Sequence, residues 1–233
     1  MSIIPWSVIL DPHRLDDLQS LNILDTKPEQ SYDDLAEIAR LICDTPVANV
    51  TLVAQNRQWF KSIIGNDVQE TSIEQSVCAH ALDKPDLLVI NDLTADSRTR
   101  DNTLVTGEAS LRFYAGVPLR LDASFGVGTL CVLDTKPHPA GLTPSQAEAL
   151  KRLGRQATIL LQVRRYLASQ KKGDEECVTP DEPLEEICDS LLRAYELNKR
   201  YNDKVIDNLV ASTLAHIAVR IARSGKAEDI AVH

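Results

Sequence analysis

Two pairs of β-rich stretches, each joined by a short turn, place the strongest constraint on this chain. Val47 to Val53 reads VANVTLV, Gln55-Asn56 offers a tight turn, and Arg57 to Ile64 follows before Gly65. Phe113 to Leu121 and Val127 to Leu133 form the second pair, linked through Asp122-Ala123-Ser124. A parallel pairing needs a crossover of about a dozen residues or more, so both pairs read as hairpins and their sheet as antiparallel. Leu87 to Ile90 adds a short strand.

Helical stripes flank the strands on both sides. Asp11-Pro12 supplies an N-cap and a proline at the first helical position, and Leu15, Leu18, Leu21 and Leu24 recur behind it until Pro28. A second helix is expected from Ser31, with Asp34 three residues on and Leu35, Ile38, Ala39 and Ile42 as its apolar face. Ser76 to Leu82 reads as a short helix. Thr143-Pro144-Ser145-Gln146 is a capping box with proline at the first position, and it opens a long helix carrying Leu150, Leu153, Ala157, Leu160 and Leu167. Arg164 interrupts that stripe. Asp92 to Ser110 is polar and too long for a plain connection, a length that often accompanies function. The order predicts one α+β domain over about residues 14–168, with the helices of both chain ends packed on one face of the sheet.

Lys171 to Pro183 holds five acids, two lysines, Gly173 and two prolines, and reads as a flexible acidic linker. From Leu184 to Ile221 apolar residues return at helical spacing, giving a C-terminal amphipathic segment over residues 184–233. About fifty residues with one apolar stripe make no core alone, so the stripe needs a partner. The organisation expected is residues 1–170 as the folded domain, 171–183 as linker and 184–233 as helical segment.

Charge and cysteine usage narrow the function. The net charge of −9 argues against nucleic-acid binding. No apolar run reaches membrane-spanning length, and the opening Met-Ser-Ile-Ile-Pro-Trp lacks the basic start of a signal peptide, so a cytoplasmic protein off the membrane is expected. The cysteines, Cys43, Cys78, Cys131, Cys177 and Cys188, are odd in number and widely spaced with no CxxC, which reads as reduced thiols rather than a disulfide framework or zinc site.

The stretches RLDDLQSLNILDTKPEQSYDDLAEIARLI, RQWFKSIIG, SVCAHAL, DNTLVTGEASLRFYAGVPLR and GTLCVLDTKPH, in that order, resemble a GAF domain of the sensory subgroup found ahead of bacterial histidine kinases and diguanylate cyclases. The resemblance covers Arg14 to Leu167. It implies an antiparallel sheet with helices on one face and a ligand pocket on the other. Residues 171–233 carry no such likeness, nor any kinase, cyclase or helix-turn-helix signature.

Six residues are candidates for the pocket: Trp59, Cys78, His80, Arg112, Tyr114 and Cys131. In Trp59-Phe60 and Phe113-Tyr114 one member of each pair faces each side of the sheet. Gly116 and Gly128 open gaps that serve either a small ligand or close loop packing. Cys78-Ala79-His80 sets a thiol near an imidazole, but the family's bilin-binding members place histidine directly after the cysteine, and Ala79 intervenes here. One histidine is a weak haem signal. The cyclic-nucleotide members' Asn-Lys motif occurs only at Asn198-Lys199, outside the domain. A methionine sulfoxide reductase would need Cys43, Cys78 and Cys131 to converge. Apolar neighbours and the lack of nearby cations predict an inert Cys78 at neutral pH. His216 reads as a surface or interface histidine.

The reading is a non-enzymatic sensor in bacterial signal transduction that binds a small ligand or a partner protein, with no cofactor or metal. A homodimer through the helix bearing Leu150, Leu153, Ala157 and Leu160 is expected, with Leu184 to Ile221 reaching the sister subunit or a signalling partner. The alternative is a thiol-based redox sensor or reductase using Cys78.

Overall fold

The computed structural model describes residues 4–173 and Arg193. A single turn, α1 (Trp6–Ile9), precedes α2 (Pro12–Ser20). The Asp11 carboxylate accepts the Arg14 N–H at 2.9 Å with Pro12 behind it, the cap that the sequence predicts. α3 spans Gln30–Cys43, and its start differs from expectation. Ser31 lies inside the first turn, and Glu29 before it makes no cap because Lys61 and Arg164, each at 2.6 Å, hold its carboxylate.

Six strands follow: β1 (Val47–Val53), β2 (Arg57–Ile64), β3 (Glu70–Ser72), β4 (Leu88–Ile90), β5 (Phe113–Leu119) and β6 (Gly128–Asp134). They build one sheet in the order β3-β2-β1-β6-β5-β4, every pair antiparallel. Both hairpins therefore form, and β1 against β6 joins them. The region expected as a helix over Ser76 to Leu82 folds instead as one 3₁₀ turn, Cys78–Ala81, and a second, Ile73–Gln75, lies just before it. Within the polar stretch, α4 (Thr103–Thr106) is capped by Asn102, whose side chain accepts the Leu104 N–H at 2.9 Å.

α5 (Pro144–Gly173) opens on its capping box: Thr143 Oγ1 accepts from Gln146 N at 3.3 Å, and Gln146 Oε1 accepts from Thr143 N at 2.9 Å. It runs three residues into the stretch read as linker. The rest of that stretch and nearly all of the C-terminal segment, His216 included, lie outside the described residues.

α2, α3 and α5 cover one face. Leu18, Tyr32, Ala36, Leu150 and Leu161 meet Val50, Leu52, Phe113, Val117 and Leu130 there. Each large aliphatic side chain so buried contributes about 1.5–3 kcal/mol. Small residues set the spacing: a Cβ on Gly154 of α5 would stand 2.6 Å from Val117 Cγ1 on β5. Leu150 and Ala157 are fully buried and Leu153 and Leu160 half-buried against this core, so that stripe is spent on the chain's own sheet. The stripe left exposed on α5 is a second one, Ile159, Val163, Tyr166 and Leu167. Arg164 anchors the helix, donating to Leu21 O at 3.0 Å and Asn22 O at 3.1 Å besides pairing with Glu29.

Arg14 is fully buried and donates to Val8 O at 3.1 Å, Val53 O at 2.6 Å and Ile9 O, fastening α1 and α2 to the end of β1. Burial pulls its guanidinium down to about 10 against the opposing effect of Asp11. No helix among the described residues is long and apolar enough to cross a membrane.

Candidate functional site

Strict alternation in β1 sends Ala48, Val50 and Leu52 to the helices and leaves Asn49 and Thr51 on the other face. Register aligns partners behind them: Asn49 opposite Cys131, Thr51 opposite Thr129 and Phe60, and Gly116 opposite Cys131. Only short elements cover this face. The two 3₁₀ turns and α4 roof it incompletely, leaving a cavity of about 260 Å³. Its walls include Asn49, Gln58, Phe60, Thr71, Val77, Cys78, Leu104, Leu111, Cys131 and Leu133, and none of its lining residues is charged. Asn49 Oδ1 and Thr71 Oγ1 are buried in this lining without a hydrogen-bond partner. Gln58 is occupied otherwise: it accepts from the Ser76 hydroxyl, and Ser76 Oγ in turn accepts the Ala79 N–H at 3.0 Å, which holds the second 3₁₀ turn over the cavity.

Two of the six predicted residues meet in this cavity. Cys78 comes from the 3₁₀ turn and Cys131 from β6, and their Sγ atoms stand 3.7 Å apart. Tyr114 lies beside them but does not line the cavity. Its ring folds over Gly116, where any Cβ would collide with it, and its hydroxyl is buried without a hydrogen-bond partner. The gap at Gly116 is thus filled by Tyr114, and that at Gly128 by the β1 backbone at Thr51; neither makes room for a ligand. Thr51 and Thr129 share a hydroxyl–hydroxyl contact of 3.1 Å next to the thiols.

This polar knot opposes the upward shift that burial alone would give Cys78. Burial raises its thiol, but the Cys131 thiol and the nearby hydroxyls of Thr129, Tyr114 and Thr51 would stabilise a thiolate there, and the net direction is down, to about 7. Cys131 moves well up, because its own proton serves Cys78 and because it is buried, so one proton stays with the pair. Tyr114 is raised by burial and by the neighbouring sulfurs. Cys43 sits on the opposite face in the helix core, where burial pushes it up to about 11. The three cysteines do not converge.

The other three candidates stand apart from the cavity. Trp59 pairs with Leu52 in the helix core, so Phe60 is the member of that pair that reaches the cavity. Arg112 donates from Nη1 to Val105 O and Leu111 O, both at 2.9 Å, and ties α4 to the start of β5. His80 is buried with Nε2 unpartnered, and desolvation together with Arg98 pulls its imidazole down to about 4 against Asp96 and Asp83. Arg98 itself pairs with Asp96 at 2.6 Å.

Residues 27–161, more than half of the chain, match the family profile described as the GAF domain. The chain belongs to the GAF family. A cyclic di-GMP phosphodiesterase of Pseudomonas aeruginosa is 34% identical over 121 residues, which is 52% of this chain and 21% of that protein. The chain thus spans about a fifth of the length of that curated relative. Among solved structures, the blue-light-absorbing form of the PixJ GAF domain of Thermosynechococcus elongatus is similar at 13% identity, covering 73% of this chain and 99% of that one with a TM-score of 0.49. The GAF domain of an Acinetobacter phosphoenolpyruvate-protein phosphotransferase is similar at 12% identity, 69% and 99% coverage and a TM-score of 0.49. GAF domains are typical of sensory signalling.

Proposed function

We propose that this GAF domain is a non-enzymatic sensor of a small uncharged molecule in bacterial signal transduction, acting in the cytoplasm as a homodimer. The observation that carries the reading is the cavity: an uncharged lining with two buried, unpartnered polar atoms at Asn49 and Thr71. An unpartnered buried polar atom costs about 1–3 kcal/mol, and a ligand donor placed against Asn49 Oδ1 would recover part of it. An anionic nucleotide would meet no cation there, at a cost of several kcal/mol.

The exposed stripe of α5 gives the dimer its surface. Ile159, Val163 and Tyr166 recur at helical spacing, with Leu167 beside them, so a second copy of α5 is the natural cover. A ligand that favours one packing of the turns over the sheet would shift the pairing of these helices, and the Leu184 to Ile221 segment would carry that shift to the sister subunit or a signalling partner.

The test uses the full chain and two probes of like size. Indole, uncharged with one N–H donor, is expected to raise Tm and to appear as an adduct in native mass spectrometry; benzoate is not. Ala109→Trp, at the cavity rim, should abolish the indole effect without lowering Tm. Stabilisation by benzoate rather than indole, or an indole effect indifferent to Ala109→Trp, defeats the reading.

A further inference from the structure

We propose that Cys78 and Cys131 are a modification site: a reversible disulfide that forms when a hydroperoxide enters the cavity. The proposal goes beyond ligand sensing and stands whether or not the cavity holds a ligand.

Three observations converge on it. The sulfurs are 3.7 Å apart and face one another from elements 53 residues apart in sequence. A disulfide needs about 2.05 Å, so one sulfur must travel less than 2 Å. Cys131 is held by ladders on both sides, against Asn49 and Gly116, whereas Cys78 rides on a single 3₁₀ turn outside any ladder and is the partner able to move. Both thiols line the same cavity, so a molecule as small as hydrogen peroxide reaches them although the residues are buried. The third observation is the ring of hydroxyls. Thr51 and Thr129 share a single hydrogen bond and Tyr114 makes none, so only one of the three O–H groups is engaged. A thiolate at Cys78 would accept from the others.

The chemistry balances with the hydroperoxide as oxidant. The Cys78 thiolate attacks one peroxide oxygen; the S–O bond forms, the O–O bond breaks, and the departing alkoxide or hydroxide takes up the proton that Cys78 has shed. Cys78 is then a sulfenic acid. The Cys131 sulfur attacks it, the S–S bond forms as the S–O bond breaks, and the Cys131 proton leaves with the hydroxyl as water. Two thiols and one hydroperoxide become one disulfide, one alcohol (water, for hydrogen peroxide) and one water. A dithiol reverses the change. Cys43 serves as an internal reference, being equally buried but packed among aliphatic side chains on the other face with no hydroxyl cluster around it.

The full chain is exposed to a slight molar excess of hydrogen peroxide at pH 7, quenched with N-ethylmaleimide and digested without reduction for mass spectrometry. The expected result is a cross-linked pair of peptides carrying Cys78 and Cys131, two hydrogens lighter than their sum and released by dithiothreitol. Cys43 should be oxidised on the order of 100-fold more slowly, the larger thiolate fraction at Cys78 outweighing the greater intrinsic nucleophilicity of the more basic sulfur. In Cys131→Ser, Cys78 should stop at the sulfenic acid and be captured by dimedone. Cys131→Ala, with circular dichroism to check the fold, covers the case in which the serine hydroxyl disturbs packing. The proposal is overturned if Cys78 and Cys131 both remain open to maleimide under denaturing quench. It is equally overturned if Cys78 links mainly to Cys177 or Cys188, or if Cys43 is oxidised as fast as Cys78.

Discussion

On one face of the sheet three helices press Leu18, Tyr32, Leu150 and Leu161 onto Val50, Leu52, Phe113 and Leu130; on the other, two 3₁₀ turns and a four-residue helix cover Asn49, Phe60 and Cys131. The strands are the same and their side chains simply alternate, yet one side is filled and the other retains about 260 Å³. Cover length makes the difference. A helix of two or more turns presents a continuous apolar stripe and can match a sheet row by row, whereas single turns held at Ser76 and Asn102 bring only a few side chains each. The same contrast separates the cysteines: Cys43 lies in the filled layer, Cys78 and Cys131 at the hollow.

The sharpest way to break this contrast is to truncate one leucine on each face. Leu130→Ala in the filled layer should lose about 3–4 kcal/mol, and Leu111→Ala at the cavity, already half-buried beside empty space, about 1 kcal/mol; urea denaturation reads both. Equal losses would mean that the cavity wall is as tightly packed as the helix layer.

His80 tests the roof in another way. Its folded value near 4 lies below the ordinary histidine value of 6.5, so the unfolded chain binds a proton that the folded chain refuses between those limits. The stabilising contribution is complete above pH 6.5 and is lost as pH falls towards 4, by about 3 kcal/mol in total. His80→Gln should flatten that part of the stability–pH curve. A wild-type curve that is already flat there would show that the imidazole is solvated.

Gly116→Ala should cost about 1–3 kcal/mol, since the new methyl collides with the Tyr114 ring. Displacing the Tyr114 hydroxyl should also slow peroxide oxidation of Cys78. The smallest effect on stability is expected from Val163→Glu with Leu167→Glu, within about 0.5 kcal/mol when read at a dilution where both proteins are monomers, because both side chains are exposed on the single chain. Analytical ultracentrifugation should nevertheless show a dimer in the wild type and a monomer in the double variant.

Much of this architecture was legible from periodicity and caps. The two hairpins, the Asp11 and Thr143 caps and the split of Phe113 from Tyr114 across the sheet all follow from local rules. β3 and α4, at three and four residues, are too short to leave a period. Which of Trp59 and Phe60 faces the helices depends on pairing Trp59 with Leu52, and a register irregularity between Val50 and Thr51 blurs even that alternation. Lys61 next to them is nearly fully buried, held by Glu29, Thr26 Oγ1 and Lys27 O, a fate that no local signal announces. Asn49 did leave a trace: it and Thr51 alternate with Ala48, Val50 and Leu52, the mark of a strand with one polar face. The nearness of Cys78 to Cys131 left none, being set by how the 3₁₀ turn lies over β6.

The anchoring of α5 on α2 and the α2–α3 connection has a consequence for how the molecule comes into being. Arg164 and Arg165 reach Leu21, Asn22, Glu29 and Asp17, partners 135 to 148 residues earlier in the chain. During synthesis α3 can meet β1 and β2 soon after it emerges, whereas the contacts made by Arg164 and Arg165 wait for α5. Closing so long a loop carries an entropic cost that no local contact recovers, and folding rates fall as such distant contacts accumulate. These contacts are therefore among the last that synthesis makes available, and α5 is the piece that closes the helix layer.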